Sequence, residues 1–546
     1  MIRLALLWHM HQPFYQDLAS GEHILPWVRM HALKDYRGMV DVLAPFAGVK
    51  ATFNLVPSLV VQLQAFAEGR ARDRHLAVGL APAAGLSADD RAFLAANGFH
   101  AAFHRMIAPY PRYLELHGQR ESIQTWPVDA VRDLQVWHKL VWMDPDWLAS
   151  DARLQALLEK GRDFSEADKQ VLAAIERELL TSTVATYRAA QARGQIELST
   201  SPFYHPILPL LCDTDAHLAA HPQAARPQFP FRRPIDAREQ VARAVRFHTE
   251  TFGQAPRGMW PSEGAVSNPI VPILAAEGLR WFAADEDVLA RTLGEPLPRD
   301  VDGLPLRPDL LYRPYEVHTG GARARVLFRD HHLSDRIGFV YQSWEPHHAA
   351  DDLVWRIREG ARRFAQRSPG ETPTIAIVLD GENAWEHYVG GGRPFLRELY
   401  GRLAAAADIQ TLTMAAAVEG TARTLDHVFP GSWIHADFYI WAGHRDDQRA
   451  WSQLSQARAV FDERAPFVPA AARDRAYEEL LIAEGSDWFW WYGDDHSSAQ
   501  DKDFDELFRR HVRNAYEALG LEPPAELHQT NISTSGEHAA GGVMDR

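Results

Sequence analysis

"TIAIVLDGENAWEHY", residues 374–388, is an unbroken apolar run that ends in a carboxylate, Asp380, with polar and aromatic residues following at once. A strand whose two alternating faces are both apolar is buried on both, the pattern of an inner parallel strand and not of a half-exposed antiparallel one. Runs of the same kind recur: "IRLALLW" (2–8), "KATFNL" (50–55), "QIELST" (195–200), "RGMW" (257–260), "RWFAAD" (280–285) and "RVLFRD" (325–330), each followed by helical periodicity. Alternating strands and helices predict an α/β fold, an incomplete (β/α)7 barrel of the TIM type, with "DIQTLTM" (408–414) as a further candidate strand.

Around this frame the chain carries additions. Residues from about 60 to 190 read as a helical insertion, and residues 431–521 as an α-helical domain that completes the cleft, so the catalytic barrel spans 1–430. The stretch 522–546 lacks apolar periodicity and is expected to be disordered. The 546 residues hold 57 basic and 72 acidic side chains, a net charge of −15, with no basic run to meet a phosphate backbone or an anionic membrane. Nucleic-acid and membrane partners are therefore not expected, and oligomeric state is not legible. A lone Cys212 excludes an internal disulfide and a cysteine-built zinc site. The N-terminal apolar run is short and reads as a first strand, not a signal peptide, so the expected compartment is cytoplasmic.

Polar residues gather where the runs end, and in a barrel that end is the active-site face. After the first run come His9 and His11, two apart and so on one side of an extended chain; Glu197 lies in the third; Trp260 and Glu263 follow the fourth; Asp380, Glu382, Trp385 and His387 follow the seventh. His-X-His suits a metal, a polar substrate or a structural hydrogen bond. Glu197 inside a strand needs a partner, substrate or internal. "SDWFWWYGDD" (486–495) strings five aromatics from Trp488 to Tyr492, which can line a sugar cleft or pack a core. Two carboxylates among aromatics and imidazoles suit cleavage or transfer of a glycosidic bond, a chemistry that calls for no metal or cofactor.

The chain resembles glycoside hydrolase family 57, a retaining, α-glucan-active family that includes α-amylases, amylopullulanases, branching enzymes and 4-α-glucanotransferases. The matching signatures are, in order, "HMHQPFY", "GQIELST", "GMWPSEGAVS", "VLDGENAWEHY" and "WAGHRDDQRAW" (441–451). "LFRDHHLSDRIGF" (327–339), with the third and fourth signatures, is closer to the amylopullulanase-like and α-amylase-like branch than to the branching enzymes. The resemblance implies Glu263 as nucleophile, Asp380 as general acid/base, and an α-glucan or maltooligosaccharide substrate contacted by His11, Glu197 and Trp260, with His9 beside them. Trp385, His387, Asp447 and Trp488 are further candidates for substrate contacts, and the fifth signature also presents His444 and Asp446. Two rivals stay open: a metal-dependent carbohydrate hydrolase built on His9 and His11, and a glucan-binding protein without turnover.

Overall fold

A computed structural model describes residues 1–495 and 497–533. The barrel and its flank are built from β1 (Ile2–Met10), β2 (Ala51–Leu55), β3 (Ile196–Ser199), β4 (Gly258–Met259), β5 (Trp281–Asp285), β6 (Tyr315–Thr319), β7 (Ala322–Arg329), β8 (Thr374–Asp380), β9 (Ile409–Leu412) and β10 (Arg423–Leu425). They form two arcs, β8–β1–β2–β3 and β10–β6–β7–β5–β4. The arcs join on one side where Thr200 bridges Met259 in parallel and Trp260 N donates to Thr200 O at 3.1 Å. On the other side β7 and β8 meet without a ladder among the described residues; Asp330 N reaches Ala376 O at 2.8 Å instead. This is the incomplete (β/α)7 barrel, with β6 as an antiparallel hairpin partner of β7 that the apolar runs did not reveal.

Side-chain alternation explains why the runs are apolar throughout. Ala5 and Leu7 of β1 and Ala376 and Val378 of β8 point into the lumen, where they pack with Trp260, Trp281, Ala283 and Leu327. Leu4, Leu6 and Trp8, with Ile375, Ile377 and Leu379, point outward to the helical shell. Continuing the inward series places His9 and Asp380 on the lumen side at the mouth. Register confirms one layer there: His9 pairs with Asp380 and with Asn54, and Asn54 with Ser199. The candidate strand at 408–414 forms as β9 and pairs with the lower half of β1, from Ile2 to Ala5, while β2 takes the upper half, from Leu7 to Met10.

Between β2 and β3 the chain is helical and ends in the 27-residue α1 (Glu166–Ala192), started by a Ser165–Asp168 capping box. Further helices are α2 (Pro234–Phe252), α3 (Pro346–Arg367) and α4 (Arg393–Ala405) on the barrel, then α5 (Arg445–Arg464), α6 (Ala470–Ala483) and α7 (Asp501–Ala518). The expectation of disorder from Glu522 fails as far as Ser533. Ala525–His528 form a helical turn, buried Asn531 donates from its backbone to Asp505 at 3.1 Å and exchanges side-chain bonds with Gln453, and Ser533 N donates to Asp446 at 2.7 Å. Polar side chains, not an apolar stripe, dock this segment, so its lack of periodicity misled. Residues 534–546 lie outside the described residues. Among the described residues no helix is long and apolar enough to cross a membrane.

Candidate active site

The stretch after β4 solves a geometric problem. Trp260 points into the lumen and is fully buried, Pro261 ends the strand, and Glu263 turns back over the indole with φ 57°, ψ 23°, in the left-handed region. Such a conformation is uncommon outside glycine and recurs at functional sites. Gly264 follows at φ +60°, where an added Cβ would lie 2.7 Å from the Trp260 ring, so only glycine fits beneath the turn. The carboxylate is thus set by a tryptophan plug below it and a strained turn around it.

Trp433, in the loop after the barrel, clamps Glu263 twice: its backbone N donates to Glu263 O at 2.9 Å and its indole Nε1–H to Glu263 Oε2 at 2.7 Å. The Arg329 guanidinium lies 4.9 Å from the Trp433 ring centre, and the ring meets Trp260 edge-on at 5.3 Å. Glu263 keeps 15% of its side chain exposed. Burial first, then the charges of Asp380 and Asp487, push its carboxyl up to about 8, against the lowering effect of the Trp433 N–H. Asp380 is also raised, chiefly by burial, while Asn383 Nδ2, donating to its Oδ2 at 3.2 Å, together with His11 and Arg329, works the other way. Ionised Asp380 therefore makes a second negative charge on Glu263 harder to place, and burial opposes ionisation of both carboxyls.

A row of three imidazoles lines one side. His9 donates from Nδ1 to Asn54 Oδ1 at 2.7 Å, and burial holds its ring neutral, with the pKa lowered to about 3. His11 donates from Nε2 to Asp487 Oδ1 at 2.7 Å, and its ring stacks on His205 with 3.7 Å between centres. His205, itself at φ +57°, is also kept neutral by burial, and its Nδ1 lies 3.8 Å from Glu263 Oε1. Glu382 is buried behind the row and accepts from His11 N at 2.8 Å; burial, then Asp380, raises its carboxyl well above the usual range. His11, His205 and Asp487 each bring a ligand atom within 4.8 Å of the others. The two rings are stacked within 22° of parallel, so their nitrogens face one centre only after a ring rotates.

The structure separates the remaining candidates from this group. Glu197 sits one layer below the mouth, in register with Thr52, and its carboxyl is consumed internally by Trp281 Nε1 at 3.0 Å and Ala415 N at 2.8 Å. Trp260 is the plug beneath Glu263 and exposes no surface for a sugar. Trp385 is fully buried, its Nε1 donating to Gly381 O at 2.7 Å. Trp488 is core to the helical region and donates to Ile482 O at 2.8 Å. Asp447 is buried at the start of α5, accepting from His444 N at 3.1 Å. His387 is half-buried in the loop after Asp380, and Arg105 Nε donates to its carbonyl at 3.2 Å. In each tryptophan the ring found apolar neighbours, and in Trp385 and Trp488 the N–H also found a carbonyl, so these aromatics satisfy packing. The residues that the sequence reading passed over are Trp433, His205, Asp487 and Arg329. Asp487 opens the aromatic row that drew attention, and its own charge was the signal to read.

An incomplete (β/α)7 barrel with two raised carboxyls, Glu263 and Asp380, at its mouth matches the glycoside hydrolase or transglycosylase class. The chain belongs to glycosyl hydrolase family 57, whose profile matches residues 5–427. The same fold is shared, end to end, by the family 57 branching enzyme of Thermococcus kodakaraensis, at 16% identity with a TM-score of 0.61 and 98% of each chain covered. It is shared also by an α-amylase of Thermotoga maritima, at 14% identity with a TM-score of 0.58 and 97% and 96% of the two chains covered. An α-amylase of Dictyoglomus thermophilum is 28% identical over 94 residues, which span 17% of this chain and only 11% of that protein.

Proposed function

We propose that the protein is a retaining enzyme of α-glucans, cleaving α-1,4 links by way of a glycosyl-enzyme intermediate on Glu263 with Asp380 as acid and then base. What supports this reading is the placement of two raised carboxyls at one barrel mouth, Glu263 beyond β4 and clamped by the Trp433 N–H, and Asp380 at the end of β8. The pair works as a monoanion. When Asp380 holds the proton, burial still raises Glu263 but the charge of Asp380 no longer does, and the Trp433 N–H stabilises the Glu263 anion left behind. Glu263 Oε then attacks the anomeric carbon while the Asp380 proton passes to the departing glycosidic oxygen. In the second step Asp380 takes a proton from water or a sugar hydroxyl, which attacks the same carbon and frees Glu263. His9 and His205, kept neutral by burial, pack beneath the site without adding charge, and His11, 13% exposed and oriented by Asp487, is the imidazole of the row suited to meet a sugar hydroxyl.

Azide rescue tests the assignment. Glu263→Ala should lose turnover on an activated aryl α-maltooligosaccharide and regain it with azide as a β-linked glycosyl azide; Asp380→Ala should give the α-linked azide. Exchanged stereochemistry reverses the roles, and unchanged activity in either variant removes the proposal. Activity that survives exhaustive chelation tells against the metal-dependent rival. A second reading, transfer to a sugar acceptor as in a 4-α-glucanotransferase, is supported by the enclosure of Glu263, of which only 15% is exposed, because little water reaches the intermediate. Maltoheptaose decides between them: shorter chains alone mean hydrolysis, and longer ones mean transfer. Pullulan tests α-1,6 cleavage.

A further inference from the structure

The turn that follows β8 is stitched to β1 beyond their last paired residues, His9 and Asp380. Gly381 N donates to His9 O at 2.7 Å, as a parallel ladder requires, and the next bond of that ladder would run from His11 N to Gly381 O. It does not. Gly381 O accepts instead from the Trp385 indole at 2.7 Å, and His11 N donates to Glu382 Oε1 at 2.8 Å, so a side chain supplies the acceptor that the backbone has given up. The two segments approach this closely because residue 381 is glycine: a Cβ there would lie 2.5 Å from the Met10 thioether.

We propose that Glu382 is a positioning residue for the reaction described above, holding His11 and Asp380 in fixed relation by completing the β1–β8 ladder with its own side chain. The roles of His11 and Asp380 rest on that α-glucan reading; the stitch rests on the contacts. Glu382 does this work as the protonated acid. It is 1% exposed, the bond from His11 N is its one hydrogen bond among the described residues, and Oε2 is buried with no partner. A carboxylate so placed would stand in a low dielectric without a counter-ion. The charges that act on it, from Asp380, Asp35 and Glu386, have the wrong sign, and Lys34 is bonded to the last two. The phenols it acts on in turn, Tyr15, Tyr36 and Tyr187, are themselves held neutral by burial. A protonated Glu382 keeps a carbonyl for His11 N and adds no further negative charge beside Asp380, which has both to hold and to release a proton.

Two substrates and one spectrum give the test on the full chain. Glu382→Leu removes the acceptor and should lower kcat/KM on maltoheptaose roughly tenfold, the consequence of leaving a buried N–H unpaired. The loss should be much smaller on an activated aryl α-maltooligosaccharide, whose leaving group needs little protonation by Asp380. Glu382→Gln keeps a carbonyl and should recover most of the loss, and the infrared difference between wild type and Glu382→Gln at neutral pH should show the C=O band of a protonated carboxylic acid. Equal losses on both substrates mark a merely structural defect and overturn the positioning role, as do wild-type kinetics in Glu382→Leu or a carboxylate band in place of the acid band. If Glu382→Leu does not fold, Glu382→Asp, a methylene too short to reach His11 N, takes its place. A wild type that turns over neither substrate removes the proposed activity; the infrared band and the hydrogen exchange of the His11 amide, slow in wild type and faster in Glu382→Leu, then still decide the stitch. Activity with equal losses removes this inference alone.

Discussion

Trp433→Phe removes the indole N–H, with the pyrrole half of the ring system, and keeps an aromatic ring against Trp260 and Arg329. What is lost is the Nε1–H···Oε2 bond to Glu263, 2.7 Å long and shielded from water by a carboxylate that is 15% exposed. A hydrogen bond to a charged group in such a place contributes about 1.5–3 kcal/mol. If it stabilises the Glu263 anion that attacks and is later released, kcat should fall roughly ten- to a hundredfold. The pH profile adds a sign. The N–H favours the ionised form, so without it the carboxyl, already raised to about 8, rises further. On the proposed mechanism the active form is the monoanion, which is lost at high pH when the second carboxyl ionises, so the alkaline limb of kcat/KM should move to higher pH in the variant. The assay is kcat/KM on maltoheptaose across pH with thermal unfolding as a folding control. A folded Trp433→Phe enzyme with wild-type kcat and an unmoved alkaline limb would refute the argument.

Asp487→Asn should shift the same limb the other way, to lower pH by about half to one unit, since it removes a negative charge that raises Glu263 while an amide can still accept from His11; an unmoved limb excludes Asp487 from the electrostatics of the pair. Trp260→Ala should act as a core truncation, lowering stability by about 3–5 kcal/mol, because the ring fills the lumen and touches no solvent; a folded variant of unchanged melting temperature whose only defect is a raised KM would return Trp260 to the sugar. Asp447→Asn should stabilise the protein at neutral and alkaline pH and not in acid. Its carboxyl is raised well above the usual range by burial, so the folded state binds the extra proton and stability falls as pH climbs past the unfolded pKa of about 3.9. A gap in melting temperature between variant and wild type that is constant from pH 4 to 8 would dismiss that cause.

The parts of the molecule visible in the sequence were those whose physics is local. β8 and most of β1 are continuous apolar runs because both their faces are buried, and a carboxylate at the end of such a run marks the mouth, although Asp285 and Asp330 at the ends of β5 and β7 are engaged by Arg329, Tyr312 and a helix N-terminus instead. β6, "YEVHT", alternates because it lies outside the parallel wall, between β7 and the short β10, with one face half open to solvent, so it does not share that signature. Trp433 and Asp487 escaped because they reach Glu263 from segments 170 and 224 residues away, with nothing near them in sequence to mark the destination. Glu197 misled for the opposite reason. Its face of β3 does lead to the mouth, but alternation says only which side it points to, and two residues of rise, roughly 6.6 Å, separate its layer from that of Asp380.

β1 is bordered by three strands, with β2 and β9 sharing one flank and β8 holding the other. Two of those three are supplied by residues 374–380 and 409–412. On a ribosome adding about 5–20 residues per second, the opening strand therefore waits roughly 20–80 s for its neighbours to emerge, with its most apolar run unpaired on one whole edge. Substitutions that slow translation between the insertion and β8 would lengthen that exposure without altering the finished protein, and yield in the cell should respond to them before activity does.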